Sequence, residues 1–441
     1  MNAQPFPTRR LNRRRFLAQS TLATAGIAMP WIARGQASAN GKVVLGAIGV
    51  SRESVGRIKP GRGTWLAMGL AGLKNVEIAA VCDVDEMYVR AAAGDVEKVQ
   101  GKRPEMVRDL RKLLENRAID GVVIATPDHW HAPAAILACA AGKHVYVEKP
   151  CCHNGREGEL MIQAARKHKR VMQHGTQRRS WTGQREAVER VRAGELGNVH
   201  VARAWMTAKR PGIGRGKRVA VPAGLDYNLW QGPAPRRPYQ DNVVPYHWHW
   251  FWHWGTGELG NHGIHTLDVA RWGMGVDYPT RVVSSGGRYF HDDDQETPDT
   301  QFATFEYGRK VIQWEHRSCQ PHGLDGIGSG IVFYGDRATL VVEGAGYRIF
   351  DLDRKEIGKG GGSGGDKEHL QNYVDAIRDG KSLNADIEEG VKSTLMCHLG
   401  NAALRTGETV RFDPATKRIA GNAAATALWK RDYEPGWEPK L

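Results

Sequence analysis

Two side chains in this sequence stand where proton transfer could be done. Lys149 lies in Glu148-Lys149-Pro150, directly after the apolar run His144 to Val147, so an amine and a carboxylate meet at the end of a strand. An exposed Glu and Lys pair is the plain alternative and would contribute little. His265 closes Gly260-Asn261-His262-Gly263-Ile264-His265. A helix over Leu259 to Trp272 sets Asn261 and His265 one turn apart on a shared face. Imidazole exchanges a proton near neutral pH, whereas Asn261 can orient a partner but cannot take a proton. A histidine satisfied within its helix is the other reading of His265, and spacing alone does not decide between them.

Histidine pairs also raise the possibility of a metal. His129-x-His131 and His247-x-His249 could each offer two nitrogens, but no cysteine or carboxylate stands at ligand spacing beside them, so no metal is assigned. Tyr246-His-Trp-His-Trp-Phe-Trp-His-Trp254, read with period two as a strand, puts four tryptophans on one side and His247, His249, Phe251 and His253 on the other. Such rings, Trp250 among them, either stack on the apolar face of a sugar or build a domain interface.

The elements that would position these groups alternate between strand and helix. Lys42 to Val50 (KVVLGAIGV) is an apolar run of buried parallel-strand type ending in glycine. Gly61-Arg62-Gly63 opens a helix to about Leu73, and the strand Val76 to Cys82 ends at Asp83. In a dinucleotide site such glycines admit the pyrophosphate to the helix N-terminus and the acid takes ribose hydroxyls. Asp83 would repel a 2′-phosphate, which favours NAD over NADP. If Gly49 is the first glycine and Gly63 the last, the ten residues Ser51 to Pro60 lengthen the turn, and its Arg52, Arg57 and Lys59 read as a solvated loop or a phosphate clamp. Further strands at Gly121 to Ala125, His144 to Val147 and Arg170 to His174, with helices between, complete a doubly wound parallel sheet whose polar clusters all fall at C-terminal strand ends. After Gln177 the strands lengthen and alternate in polarity, an α+β layer. The stretch 358–365 reads as a flexible connector, and Gly380 and Gly407 as helix stops.

Thr126-Pro-Asp-His-Trp-His131, Glu148-Lys149-Pro150 and Gly260-Asn-His-Gly-Ile-His265 together resemble the family of glucose-fructose oxidoreductase and inositol dehydrogenase, the Gfo/Idh/MocA family. The resemblance implies an α/β chain: an N-terminal Rossmann domain over 40–177, and over 178–441 a C-terminal domain with an open, mostly antiparallel sheet that binds substrate and makes oligomer contacts. It also implies sugar, inositol or polyol substrates. By that resemblance Thr126, Pro127 and His131 line the nicotinamide side of the cofactor, Glu148 and Lys149 lie beside the ring, and His265 is the active-site histidine. Asn261 stands where many members carry aspartate. Gly49, Gly61, Arg62, Gly63 and Asp83 complete the cofactor set, and Gln177, Trp250 and His262 are the candidate substrate contacts.

The 441 residues, 41% hydrophobic, suffice for two domains, and no apolar run approaches the roughly 18 residues of a membrane span. The net charge of +14 suggests a nucleic-acid partner, but six arginines lie before residue 40 with no acid among them, leaving +8 for the rest, and no nucleic acid is assigned. Asn12-Arg-Arg-Arg-Phe-Leu-Ala18, a weakly apolar stretch and Ala37-Ser-Ala39 read as a twin-arginine export signal over 1–39. That makes the twin-arginine translocase a partner, the protein periplasmic or otherwise exported, and the mature chain free of stable membrane insertion. Six cysteines without C-x-x-C spacing read as reduced thiols.

These features imply an NAD(P)-linked oxidoreductase acting on a hydroxyl or keto group of a carbohydrate, with His265 as base and Lys149 at the reacting oxygen. A second reading is an NAD-dependent glycosidase that oxidises C3 transiently and eliminates at C2. A third is an exported sugar-binding protein without catalysis. A homo-oligomer is expected from the open sheet face.

Overall fold

A computed structural model describes residues 41–51 and 59–441. The export segment, Arg52 and Arg57 lie outside the described residues. The chain opens on β1 (Val43–Ile48), buried on both faces, then α1 (Arg62–Ala71), β2 (Val76–Cys82), α2 (Glu86–Gln100), β3 (Glu105–Val107) and α3 (Leu110–Glu115). It continues with β4 (Gly121–Ile124), α4 (Asp128–Ala140), β5 (His144–Val147), α5 (Gly155–Lys167) and β6 (Met172–His174). These strands form one parallel sheet in the order β3-β2-β1-β4-β5-β6, the doubly wound arrangement. Helices α2 and α5 start on side-chain caps: Asp85 accepts from the Met87 N–H, and Asn154 accepts from that of Glu157, whose own carboxylate takes the His153 N–H at 2.8 Å.

The lengthened glycine turn leaves this geometry intact. The Gly61 N–H donates to the Ser51 carbonyl at 3.0 Å, so α1 still begins beside the end of β1. Only glycine fits the crossing. Gly49 has φ +84° and a Cβ there would lie 2.5 Å from the Thr126 nitrogen, while a Cβ on Gly63 would lie 2.0 Å from the Gly49 carbonyl oxygen.

After α6 (Thr182–Arg192) comes the second sheet. It is built from β7 (Val201–Thr207), β8 (Arg281–Gly287), β9 (Thr300–Tyr307), β10 (Lys310–Arg317), β11 (Ser329–Tyr334), β12 (Ala338–Glu343), β13 (Gly346–Asp351), β14 (Glu356–Gly360), β15 (Val410–Asp413) and β16 (Arg418–Ala420). The order is β14-β13-β12-β11-β7-β10-β9-β8-β15-β16, antiparallel except where β7 runs beside β10. Alternation explains its two faces: Ile312, Trp314 and His316 of β10 are buried against helices, and Gln313 between them is exposed. The glycine-rich connector expected at 358–365 is a strand in its first part, because β14 pairs with β13 and Gly360 lies opposite Tyr347.

Between β7 and β8 the chain makes a long excursion through α7 (Tyr227–Gln231) and returns by a π-helical turn, Leu259–Gly263, into α8 (Ile264–Met274). The excursion has its own aromatic cluster, including Tyr227, Trp230, Trp248 and Trp254. It is tied to the nucleotide half by the Asp226 N–H to the Val84 carbonyl at 3.0 Å and by the Trp130 indole N–H to the Trp230 carbonyl at 2.9 Å. The period-two arrangement considered for Tyr246 to Trp254 does not form, and His247–Trp250 is a 3₁₀ turn. His249 stacks on Trp248 at 3.6 Å and its Nδ1 meets the Tyr246 carbonyl at 2.6 Å, so ring stacking and a local side-chain bond replace the ladder.

The last long helices return to the nucleotide half. From α9 (Lys367–Asp379), Leu370, Tyr373 and Val374 share a core cluster with Leu45, Ile78 and Val123, and from α10 (Ile387–Thr406), Ile387 and Val391 join the cluster on the sheet's other face. The two halves therefore interleave in sequence. Gly380 and Gly407, at φ +71° and +69°, end these helices as expected. A short α11 (Ala423–Ala427) precedes the C-terminal segment. Cys82, Cys139, Cys151, Cys152, Cys319 and Cys397 are all free thiols.

Candidate functional site

Five strand ends converge on one crevice. Gly49 follows β1, Asp83 follows β2, Thr126 and Pro127 follow β4, Glu148 and Lys149 follow β5, and Gln177 follows β6. At one end lies a cleft with about 760 Å³ of free space, part of it open solvent. Gly49, Asp83, Thr126 and Pro127 form one wall, and Trp230 and Trp248 of the excursion form the other. Burial raises the Asp83 carboxyl to about 7, against backbone N–H groups such as that of Asp85 at 3.1 Å. A glycine crossing that admits no Cβ, a helix N-terminus beside it, an acid at the β2 end, and the Thr126 hydroxyl, buried without a partner among the described residues, fit a dinucleotide.

Toward β5 and β6 the crevice becomes charged. The Lys149 ammonium donates to both the backbone oxygen and Oδ1 of Asn261, at 2.9 and 3.0 Å. Burial lowers the lysine's pKa, and Glu148 and Asp128 offset only part of that. Glu148 accepts from Arg62 Nε at 2.7 Å and stays below the usual carboxylate range despite burial. Arg62 also grips Asp366 through two bonds of 2.7 and 2.8 Å. The Arg62 guanidinium therefore holds two carboxylates and bears on the crevice through Glu148.

His265 begins α8. Burial and the Lys149 charge hold its imidazole neutral, well below the ordinary histidine value, and its Nδ1 has no partner among the described residues. The π turn corrects the one-turn spacing expected between Asn261 and His265, since the wider coil falls on Leu259–Gly263. That turn frees the Asn261 carbonyl and amide for Lys149. Its amide nitrogen meets Glu258 Oε2 at 3.4 Å and His262 Nδ1 at 3.3 Å, which joins Lys149 to a second cluster.

In this cluster Glu258, 1% exposed, accepts from Arg210 Nε, and its other oxygen lies 3.0 Å from His262 Nδ1. Arg210 Nη2 is 3.0 Å from the same nitrogen, and the guanidinium lies over the Trp250 ring at 5.2 Å. Burial works against the Glu258 charge, but His262 and Arg210 hold the carboxyl far below its usual range. The His262 side chain is 41% exposed, so the pair has a buried anion and an open imidazole edge.

Of the expected substrate contacts, His262 thus joins the Lys149 network directly and Trp250, which is buried, joins it through Arg210. Gln177 lies on the 3₁₀ turn Gln177–Ser180, its Oε1 buried without a partner among the described residues. Because α4 starts at Asp128 rather than near Ala132, His131 falls inside the helix, is buried, and meets the Pro150 carbonyl through Nδ1 at 2.6 Å. The sequence reading missed Glu258, Arg210 and Asp128. Glu258 four residues before His262 is a legible helical pair; Arg210 has no local signal. Asp128, taking the Thr256 hydroxyl at 2.7 Å, is raised by burial to about 7. Among the described residues no group of three or more His, Cys, Asp or Glu is arranged to hold a metal, and no helix is long and apolar enough to cross a membrane.

A Rossmann sheet with a dinucleotide crevice, joined to a domain built on a mixed sheet, defines an NAD(P)-dependent enzyme. The chain belongs to the Gfo/Idh/MocA oxidoreductase family: its NAD-binding Rossmann fold model matches residues 55–176, and its C-terminal alpha/beta domain model matches residues 205–438. It is 26% identical over 465 residues to glycosyl hydrolase family 109 protein 1 of Shewanella sp. (strain ANA-3), covering 92% of this chain and 96% of that one. An alpha-N-acetylgalactosaminidase of Shewanella oneidensis is 36% identical over 154 residues, which is 32% of this chain and 34% of that protein. In fold, the WlbA dehydrogenase of Bordetella pertussis, solved with NADH and UDP-GlcNAcA, superposes with a TM-score of 0.62 at 18% identity over 84% of this chain and 99% of that one.

Proposed function

We propose that this protein cleaves a glycosidic bond by transient oxidation, elimination, addition of water and re-reduction, the second of the readings drawn from the sequence. The observation that carries it is the coupling of two proton-handling clusters through one side chain: Asn261 holds Lys149 on one side and touches Glu258 and His262 on the other. Oxidising an alcohol requires one group to manage the hydroxyl proton. An elimination also requires a base for the adjacent C–H and a donor for the departing oxygen. The full-length likeness to a family 109 glycosyl hydrolase supports the same reading over a plain dehydrogenase.

NAD, when bound, takes two electrons from the sugar and returns them at the end of the cycle. His265, kept neutral, takes the C3 hydroxyl proton while Lys149 donates a hydrogen bond to that oxygen. The C3 carbonyl so formed acidifies the C2–H. His262, backed by Glu258 and Arg210, removes the C2 proton and passes it to the leaving oxygen as the glycosidic C1–O bond breaks. Water then adds across C1 and C2, and C3 is reduced with Lys149 at its oxygen. Atoms sum to hydrolysis, with no net consumption of NAD. Gly49, Gly61, Gly63, Asp83, Thr126 and Pro127 hold the nucleotide, and Gln177 and Trp250 border the sugar.

The test is product analysis with an aryl glycoside. The free sugar without accumulated NADH supports the reading, whereas a keto-sugar formed with equimolar NADH overturns it in favour of the dehydrogenase. Two further proposals accompany it. Export by the twin-arginine route rests on the Asn12 to Ala18 motif, and finding the protein in the periplasm only while both Arg13 and Arg14 are intact tests it. A homo-oligomer rests on the open sheet face, where Val283 and Phe302 are exposed, and sedimentation as a monomer would exclude it.

A further inference from the structure

The turn after β6 carries two arginines with opposite fates. Arg179 points into the protein, where its guanidinium donates to both oxygens of Asp268 at 2.8 and 2.9 Å and lies over Trp272 at 5.3 Å. Asp268 is three residues past His265, so the turn is docked on the face of α8 that bears His265. The Arg178 guanidinium makes no hydrogen bond and no ion pair among the described residues. It rests over the Trp181 indole at 5.5 Å, and of the described arginines that are not exposed it is the only one left so. The other described cations named at the crevice face carboxylates: Arg62 has Glu148 and Asp366, Arg210 has Glu258, and Lys149 feels Glu148 and Asp128.

An unbalanced guanidinium out of water costs stability unless a ligand supplies the anion. Burial alone drags the Arg178 pKa down to about 10, and its charge reaches His265. The cofactor's pyrophosphate is not that anion, because β6 stands three strands from β1, roughly 14 Å at the usual strand spacing. Next to Arg178, Gln177 Oε1 is buried and lacks a donor, and so does His265 Nδ1 lack a partner. The vacant partners are therefore one anion and at least one hydroxyl.

We propose that the sugar taken by this site bears a negative charge, a carboxylate that Arg178 receives through its planar fork, with Gln177 accepting from an adjacent hydroxyl. This deepens the glycosidase reading and rests on it for the reaction alone. Calorimetric titration of the purified protein with its nucleotide in place tests it, using methyl glucuronide against methyl glucoside and methyl galacturonide against methyl galactoside. The expected result is about 10- to 100-fold tighter binding of the acid in at least one pair. Arg178→Gln should collapse that ratio toward one and Arg178→Lys should keep part of it, whereas a merely structural role would weaken both members together and preserve the ratio. Equal binding within both pairs, or a ratio surviving in Arg178→Gln, overturns the proposal. Glucose 6-phosphate bound more tightly than either uronide overturns the carboxylate. A wild-type protein that prefers the acid yet accumulates NADH would instead overturn the glycosidase reading and leave this one standing.

Discussion

The two walls of the crevice are built on different principles. The nucleotide wall is a backbone construction: Gly49 and Gly63 touch where no Cβ fits, and the polar groups sit on the turns that end parallel strands. The opposite wall is a side-chain construction. Lys149, Asn261, Glu258, His262 and Arg210 come from three separate stretches and hold one another by hydrogen bonds. The first wall receives a ligand through glycine turns and strand ends, and the second can move protons because its members are paired and shifted.

The comparison breaks most sharply at the proton-handling wall. Lys149→Met and His265→Ala should each lower turnover by about 10² to 10⁴-fold while nucleotide stays bound. Loss of bound nucleotide in step with activity, measured on the purified variants, would show that the walls are not separable. Next in size is Gly63→Ala. Its Cβ meets the Gly49 carbonyl at 2.0 Å, so it should destabilise the fold by about 2 to 4 kcal/mol and release nucleotide; a urea midpoint like that of the wild type would contradict this. Glu258→Gln removes the anion between Arg210 and His262 and should cost about 10- to 100-fold in kcat/KM, with the acidic limb of the pH profile displaced. Unchanged kcat/KM would remove the second cluster from the chemistry.

The smallest effect concerns acid. His174 is lowered by burial to about 3, and His316 and His369 to about 4, so the unfolded chain binds protons that the folded one refuses. Their contribution is intact above pH about 6.5 and is lost as pH falls toward 4, at up to about 1.4 kcal/mol per pH unit for each group. Asp83 and Asp128, raised to about 7, act in the opposite sense above their unfolded value of about 4 and blunt the slope. The urea midpoint should therefore be lower at pH 5 than at pH 7, and a midpoint that rises on acidification would contradict this sign.

The same contrast explains what was legible in the sequence. Gly49, Asp83, Thr126 and Glu148 each follow a short apolar run, and a strand end is a local event, so their convergence could be read from order alone. Lys149 and His265 entered through motifs. Arg210 and Glu258 are 48 residues apart and meet only because the chain leaves β7, makes its aromatic excursion and returns through a π turn. The His-Trp segment misled for a related reason: period-two alternation is a strand signal only if a neighbouring strand pairs with it, and here ring stacking and a 3₁₀ turn took its place. Helix α9 was recognisable by its spacing, but nothing in that spacing says that it packs against β1 and β2 rather than its own sheet.

The central claim is that both walls act on one sugar in one cycle. Turnover of an aryl glycoside in heavy water, followed by mass and NMR analysis of the released sugar, tests it most directly. The account predicts solvent deuterium at C2 of a fully reduced sugar with no net NADH. A product with no deuterium at C2, or one that stays oxidised while NADH accumulates, would contradict it.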